Sequence, residues 1–194
     1  MTRTTFTAVA SALLISCLSA PLEAQVPGSR LVRLGFGGGV SVPTSDAESA
    51  LENGINGQAY VLIDTGILPP LRFNLGYQKF DWKEEVLGSA TDGQTSILSG
   101  VGGLSINLLS LGPLRPYVTA GLGAFHVSEE LAGGTAPGEE SSMRFGIDGG
   151  AGLALRLGRL EGFLEGRVQN VYTEQGMIDV ESIQSIPVTF GILF

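Results

Sequence analysis

The sequence contains little cysteine, histidine or positive charge. Its 194 residues include one cysteine, one histidine and 11 lysines and arginines against 19 acidic residues, so the net charge is −8. A nucleic-acid-binding surface needs a basic patch that displaces counterions, and this balance argues against that class of protein. Only 15% of the residues are charged and the mean hydropathy is positive, which argues against a disordered chain. We therefore expect a single folded domain.

Long apolar runs are also missing beyond the N-terminal segment. No later stretch approaches the roughly 18 to 20 apolar residues of a membrane-spanning helix, so helical spans are not predicted. Residues 1–24 have the pattern of a cleaved secretory signal peptide, with Arg3, an apolar stretch and small residues before a cut after Ala24. The mature chain, 25–194, would then be one domain without cysteine. In an alternative interpretation, Cys17 is the acylated residue of a lipoprotein.

Apolar residues alternate with polar residues or glycine along eight segments of the mature chain. Over 143–157, one side of an extended strand is apolar, while the other side carries Arg144, Asp148 and Arg156. The last segment has an apolar residue at every second position: Ile186, Val188, Phe190, Ile192 and Phe194. This period of two is typical of β-strands with two different faces. Eight is an even number, as a closed antiparallel barrel requires.

The connections between these segments alternate in length. Three short turns (66–70, 110–114 and 158–159) alternate with four long polar stretches (44–54, 81–95, 128–142 and 173–182). Short turns at one end and long loops at the other are typical of barrels that span a membrane. A soluble β-sandwich also alternates, but it would turn its charged face to water. We therefore predict an eight-stranded antiparallel up-and-down transmembrane β-barrel over 25–194, with both chain ends in the periplasm.

The polar face of each strand is predicted to point into the lumen. In an eight-stranded barrel the interior is just wide enough to be filled by side chains, and buried charges persist mainly when they are paired. A turn at 158–159 would place Arg156 opposite Glu161 and Gly150 opposite Arg167, with Asp148 diagonal to Arg167. We predict a packed interior ion network, with a gated pore or proton path as the alternative. Its members are Arg33, Asp64, Arg72, Arg144, Asp148, Arg156, Glu161, Glu165 and Arg167.

The long polar stretches are strongly acidic. They hold 14 of the 19 acidic residues, and Lys83 is their only base. Such a rim is either a solvated face beside an anionic lipid surface or a site for divalent cations or a basic partner. None of the stretches has the spacing of a calcium-binding loop. We therefore predict neither a metal site nor a cofactor.

His126 and Ser128, near the outer end of the predicted fifth strand, are the one pair that resembles a nucleophile and its base. The candidates for orienting the imidazole are Glu129, Glu130, Glu139 and Glu140. The spacing resembles the His-x-Ser of the lipid A deacylase family, which are also eight-stranded barrels, and this resemblance implies lipid modification at the outer leaflet. That family has asparagine where this chain has Glu129, and its pair lies nearer the C-terminus. In the alternative interpretation, the histidine lies at the membrane interface without a catalytic role.

Aromatic residues fall near the predicted strand ends. Tyr77, Phe80 and Trp82 are expected at the outer rim, and Phe73, Phe190 and Phe194 toward the opposite rim. Such rings are typical of the aromatic girdles at membrane interfaces.

The C-terminal sequence, Val-Thr-Phe-Gly-Ile-Leu-Phe over 188–194, completes a resemblance that covers the whole mature chain. With its eight strands and unequal loops, the chain resembles the small outer-membrane β-barrel superfamily of OmpA, OmpX and Ail-like proteins. Phe190, Ile192 and Phe194 resemble the signal that such proteins present to the barrel assembly machinery.

The resemblance implies several properties. It implies a monomer in the cell outer membrane, exported by its signal peptide and surrounded by membrane lipid and lipopolysaccharide. It also implies a role in membrane structure, adhesion or defence rather than in catalysis, exerted through loops whose ligand is unknown. A lipid A-modifying enzyme and a narrow channel are the alternative functions.

Overall fold

A computed structural model describes residues 31–66, 68–83, 92–109, 111–132, 138–158, 160–172 and 182–194. The predicted signal peptide, its cleavage site and Cys17 lie outside these residues. Among the described residues, no helix is long and apolar enough to cross a membrane.

Eight antiparallel strands form one closed barrel. Each strand pairs with its neighbours along the chain, and the last strand pairs with the first. The predicted eight-stranded up-and-down barrel is therefore confirmed. The elements are β1 (Val32–Thr44), α1 (Asp46–Ala50), β2 (Gly54–Ile63), β3 (Leu71–Asp81), β4 (Asp92–Asn107), β5 (Leu114–Ala132), β6 (Gly138–Leu157), β7 (Leu160–Tyr172) and β8 (Ser182–Leu193).

The apolar positions of the strands face outward. On β3, Phe73, Leu75 and Tyr77 are 51%, 56% and 45% exposed, whereas Arg72 and Asn74 are each 5% exposed. Every strand carries large exposed apolar side chains in the same way. Soluble monomers rarely expose apolar patches larger than a few hundred Å². An apolar face that runs around all the strands is therefore suited to lipid, while the alternate positions fill the interior.

The barrel is longest at the hairpin of β5 and β6. These strands contain 19 and 20 residues, whereas a tilted strand needs only about 9 to 11 residues to cross a membrane. Their pairing continues to Glu129 opposite Glu140 and Glu130 opposite Glu139. The prediction of a loop over 128–142 is therefore wrong in its bounds, because cross-strand pairing extends through most of that polar sequence.

The interior is apolar at the loop end, polar in the middle and mixed at the turn end. The loop-end plug is formed by Ala47, Ala50, Leu51, Phe80, Trp82, Ile97, Val101, Phe125, Val127, Val171 and Ile183. A smaller group toward the turns is formed by Tyr60, Leu62, Phe163 and Leu193.

The expected aromatic girdle is wrong for two residues. Phe80 and Trp82 are 0% and 8% exposed and belong to the loop-end plug. Both share the parity of the inward residues Arg72 and Asn74, so their side chains turn into the lumen. Tyr77 has the opposite parity and is exposed on the outer face.

Glycine occupies the left-handed position in each short turn. Gly66, Gly112 and Gly158 have φ angles of 72°, 64° and 70°. A residue with a Cβ atom is strained in this region, whereas glycine is not.

Substitution of Gly158 by alanine is expected to lower the free energy of unfolding by about 1 kcal/mol, because the left-handed φ is retained by the hairpin. Gly162→Ala is the matched control, since a Cβ there would meet no atom within 4 Å. The measurement is urea-induced unfolding of the refolded barrel, followed by the emission of its one tryptophan. Equal losses in the two variants would contradict the assignment of strain to the turn.

Candidate functional site in the barrel lumen

The two-residue turn between β6 and β7 sets the register of the interior charges. Arg156 is opposite Glu161, Gly152 is opposite Glu165 and Gly150 is opposite Arg167, so the predicted pairing is confirmed. A Cβ atom at Gly150 would lie 2.6 Å from Cγ of Arg167. The missing side chain at Gly150 therefore leaves the space that Arg167 occupies.

Gly152 makes room for Tyr117, its register partner on β5, and not for Glu165, its register partner on β7. A Cβ atom there would collide with the ring of Tyr117 on β5. Tyr117 in turn reaches Glu165 through its hydroxyl group. The glycine therefore makes room for the ring that binds Glu165, and not for Glu165 itself.

Glu165 is the centre of the interior cluster and is 1% exposed. The Arg72 guanidinium donates to both carboxylate oxygens, at 2.5 and 2.8 Å. The Tyr117 hydroxyl donates a further hydrogen bond at 2.9 Å, and Gln58 Nε2 lies 3.5 Å away. A bidentate arginine pair with an added donor satisfies a carboxylate that water does not reach.

A second ion pair lies beside the first. Arg167 Nη1 donates to Asp148 Oδ2 at 2.9 Å, and Arg167 Nε is 3.6 Å from Glu165 Oε1. The Arg72 guanidinium also lies over the Tyr60 ring, 4.1 Å from its centroid, a geometry that adds cation–π attraction. Two arginines thus face two carboxylates, and the cluster has no net charge.

Neutral side chains continue this network toward the loop end. Gln78 Nε2 donates to Gln169 Oε1 at 2.5 Å. The hydroxyl groups of Ser41 and Ser185 donate to Gln78 Oε1 at 2.8 and 3.2 Å. Gln169 Nε2 also lies 3.5 Å from Asp148 Oδ2, so the polar interior is connected from the ion pairs almost to the apolar plug.

The turn-end rim holds a separate charged group. Glu161 contacts Arg115 and lies 3.7 Å from Arg33. Arg156, its register partner, is exposed. Sequence reasoning missed Arg115, although it shares the parity of the inward residue Tyr117, which is a signal that could have found it.

The nine predicted network residues therefore do not form one cluster. The central cluster contains Arg72, Asp148, Glu165 and Arg167, and the rim contains Arg33, Arg156 and Glu161. Asp64 follows the last residue of β2 and accepts a hydrogen bond from the Gly66 backbone N–H at 3.2 Å. Its inclusion in the network is wrong, because it lies in a turn. Arg144 donates to Ser142 Oγ at 2.9 Å, in the loop-end part of β6.

The loop after β1 folds over the end of the lumen. Leu51 bridges to Trp82 in an antiparallel contact, and Trp82 Nε1 donates to Thr95 Oγ1 at 2.8 Å. Lys83 Nζ donates to the backbone carbonyl of Glu48 at 2.5 Å. The polar sequence over 44–54 therefore contributes apolar side chains to the plug while its Glu48 and Glu52 side chains stay exposed.

His126 and Ser128 lie on the outer face of β5, since the alternate residues Phe125 and Val127 are buried inside. Their partners on β6 are Met143 and Ser141. Glu140 pairs in register with Glu129, and not with either member of the pair. The register therefore does not bring Glu140 opposite the predicted base and nucleophile. Within the described ranges, no group of three or more metal-ligating side chains is arranged to hold a metal ion.

No family model and no curated protein sequence matches the chain. Solved structures do match. Neisserial surface protein A (NspA) has a TM-score of 0.61 at 14% identity, with 84% of this chain and 96% of that chain covered. A major outer membrane protein from Thermus thermophilus has a TM-score of 0.54 at 13% identity, with 85% and 99% covered. Ail of Yersinia pestis, in complex with the heparin analogue sucrose octasulfate, has a TM-score of 0.52 at 15% identity, with 84% and 96% covered.

This chain has the fold of the small outer-membrane β-barrels. In this outer-membrane barrel fold, Phe190, Ile192 and Phe194 of the C-terminal segment are exposed on the outer face. The Phe194 ring stacks on Phe36 of β1 at 5.9 Å between centroids. The alternating C-terminal residues therefore belong to the apolar outer surface beside the seam between the first and last strands.

Replacing Glu165 by glutamine is expected to lower the free energy of unfolding of the barrel by about 3 kcal/mol, because it leaves the buried Arg72 charge without its counterion. Glu130→Gln, the same change at an exposed position, is expected to leave it unchanged. The double variant Glu165→Gln/Arg72→Met should lose less free energy of unfolding than the two single variants lose together. Urea unfolding measures all of these proteins, and additive losses would contradict a paired cluster.

Proposed function

We propose that the chain is an integral protein of the cell outer membrane with a structural or surface-interaction role, acting through its acidic loop end without catalysis. The observation that carries this proposal is the combination of an apolar outer face with a filled lumen. In the part of the chain that the structure describes, side chains fill the lumen and leave no open path for a solute. Its exposed end is then the part available for function.

The filled lumen argues against the narrow-channel alternative. An ion entering from the loop end would meet the apolar plug around Phe80 and Phe125, both 0% exposed. Beyond the plug it would meet Arg72 and Glu165, which already satisfy each other. Moving a charge past an apolar layer and breaking a buried pair are both costly.

The charge of the loop end indicates the chemistry of its partner. The four long polar stretches carry 14 acidic residues and one base. Within the described ranges, Glu48, Glu52, Asp81 and Glu130 of this end are exposed. A cationic partner would be attracted to these carboxylates. We therefore favour a basic polypeptide or polyamine as the ligand class.

The same charge argues against one ligand class found for a structural neighbour. Ail of Yersinia pestis is solved with sucrose octasulfate, a heparin analogue, which is a polyanion. An acidic loop end would repel such a molecule. Under this proposal, the chain differs from that neighbour in ligand while sharing its fold.

We further propose that the protein is a monomer exported by its signal peptide. Its outer face contacts outer-membrane lipid and lipopolysaccharide. Phe190, Ile192 and Phe194 serve the barrel assembly machinery during insertion. Neither a cofactor nor a nucleic acid takes part.

Binding to polylysine tests the proposed ligand class. The protein is extracted from the outer-membrane fraction, where it is expected to pellet, and placed in zwitterionic phosphatidylcholine nanodiscs. The barrel is expected to bind polylysine, with an affinity that falls as salt rises, and not to bind heparin. Combined replacement of Glu48, Glu52 and Glu130 by glutamine and of Asp81 by asparagine should weaken polylysine binding at least several-fold.

Asp64→Asn is the matched control, because it removes one negative charge at the turn end. It should leave polylysine binding unchanged. Equal binding by the wild type and the fourfold variant, or preferential binding of heparin, would contradict the proposed ligand class. Absence of the protein from the outer-membrane fraction would contradict its proposed location.

A further inference from the structure

A small cavity lies beside the two buried ion pairs. Its wall includes Arg72, Asn74, Thr119, Asp148 and Arg167, and it has room for about one water molecule. The rest of the wall is formed by residues of β4 and β5: Val101, Gly103, Leu104, Ala120 and Gly121. Three members of the central cluster and two neutral polar residues thus share the wall of the cavity with apolar residues.

Four polar atoms of these lining residues have no hydrogen-bond partner among the residues that the structure describes. They are Arg72 Nε, Arg167 Nε, Asn74 Oδ1 and Thr119 Oγ1. Thr119 is 7% exposed and the other three residues are each 5% exposed. Buried polar groups in native proteins almost always have a partner, in the protein or in ordered water. Four unsatisfied atoms on residues that share one cavity wall therefore indicate an occupant.

The donors and acceptors are fixed by the neighbouring contacts. Each arginine Nε carries one hydrogen and can only donate. Asn74 Nδ2 donates to Gln58 Oε1 at 3.0 Å, so its Oδ1 is left to accept. The Thr119 hydroxyl can do either. The occupant must therefore accept at least two hydrogen bonds and donate at least one.

The charge of the site selects a neutral occupant. Arg72 and Arg167 are balanced by Asp148 and Glu165. An added anion would face Asn74 Oδ1 and the Asp148 carboxylate and would leave a net negative charge inside the barrel. An added cation would face two N–H donors. A water molecule meets the hydrogen-bonding requirement without changing the charge.

We propose that this cavity binds one ordered water molecule, which adds a hydrogen-bonded link between the two ion pairs of the central cluster. The water accepts hydrogen bonds from Nε of Arg72 and of Arg167 and donates to Asn74 Oδ1. It exchanges a further hydrogen bond with Thr119 Oγ1. This site does not depend on the function proposed for the loop end.

The test is nuclear magnetic resonance of the refolded barrel in micelles, with ¹⁵N in arginine only. The Nε–H signals of Arg72 and Arg167 are expected to show magnetisation transfer from a bound water. Thr119→Leu should reduce this transfer to background, because the larger apolar side chain fills the cavity. Thr119→Ser should keep it, since the hydroxyl group is retained. Thr189→Val is the matched control, because Thr189 bonds to Asn56 instead, at 2.8 Å.

Several results would overturn the proposal. One is a wild-type barrel in which neither Nε–H signal shows transfer from water. Another is transfer that persists unchanged in folded Thr119→Leu, which would place the water elsewhere. Shifts of both Nε signals when chloride is exchanged for bromide would identify an anion site. If Thr119→Leu does not refold, as judged by gel mobility before and after boiling, the wild-type and Thr119→Ser spectra decide between the outcomes.

Discussion

The structure depends on the exclusion of bulk water from a narrow lumen. Eight strands close with little more than side-chain width inside, so every inward residue must be packed against an apolar neighbour or paired with a polar one. Glu165 meets this requirement through Arg72 and Tyr117. The apolar plug meets it at the loop end by burying Phe80, Phe125 and Leu51. The remaining large apolar side chains of the strands lie on the outer face.

Glycine distribution follows from the same constraint. A lumen of fixed width accommodates a long charged or aromatic side chain only where the paired residue on the adjacent strand has no side chain. Gly150 and Gly152 provide this space for Arg167 and Tyr117. Three other glycines occupy turns with positive φ. Lumen packing and tight turns therefore account for these five glycines.

Local patterns in the sequence predict much of the fold. The period of two predicts eight strands, and the short turn at 158–159 predicts the register that brings Asp148 within reach of Arg167. The contact of Arg72 with Glu165 joins β3 to β7, which are not neighbours, so it depends on the stagger of the closed barrel. The register of a single hairpin therefore cannot predict this contact. The prediction that Asp64 belongs to the interior network is wrong because β2 ends one residue earlier. The prediction of Phe80 and Trp82 in the outer girdle rests on their position near the strand end, whereas their parity along the strand already indicates an inward side chain.

The central claim, an apolar face toward lipid and a sealed interior, is tested most directly by tryptophan quenching in liposomes. The native Trp82 lies in the plug, so brominated lipid and aqueous iodide should both leave its emission nearly unchanged. Leu75→Trp, made in a Trp82→Phe background, places the reporter on the outer face of β3 and should be strongly quenched by brominated lipid. Strong quenching of Trp82 by either agent would contradict this orientation of the strands. So would a Leu75→Trp reporter whose emission brominated lipid does not quench.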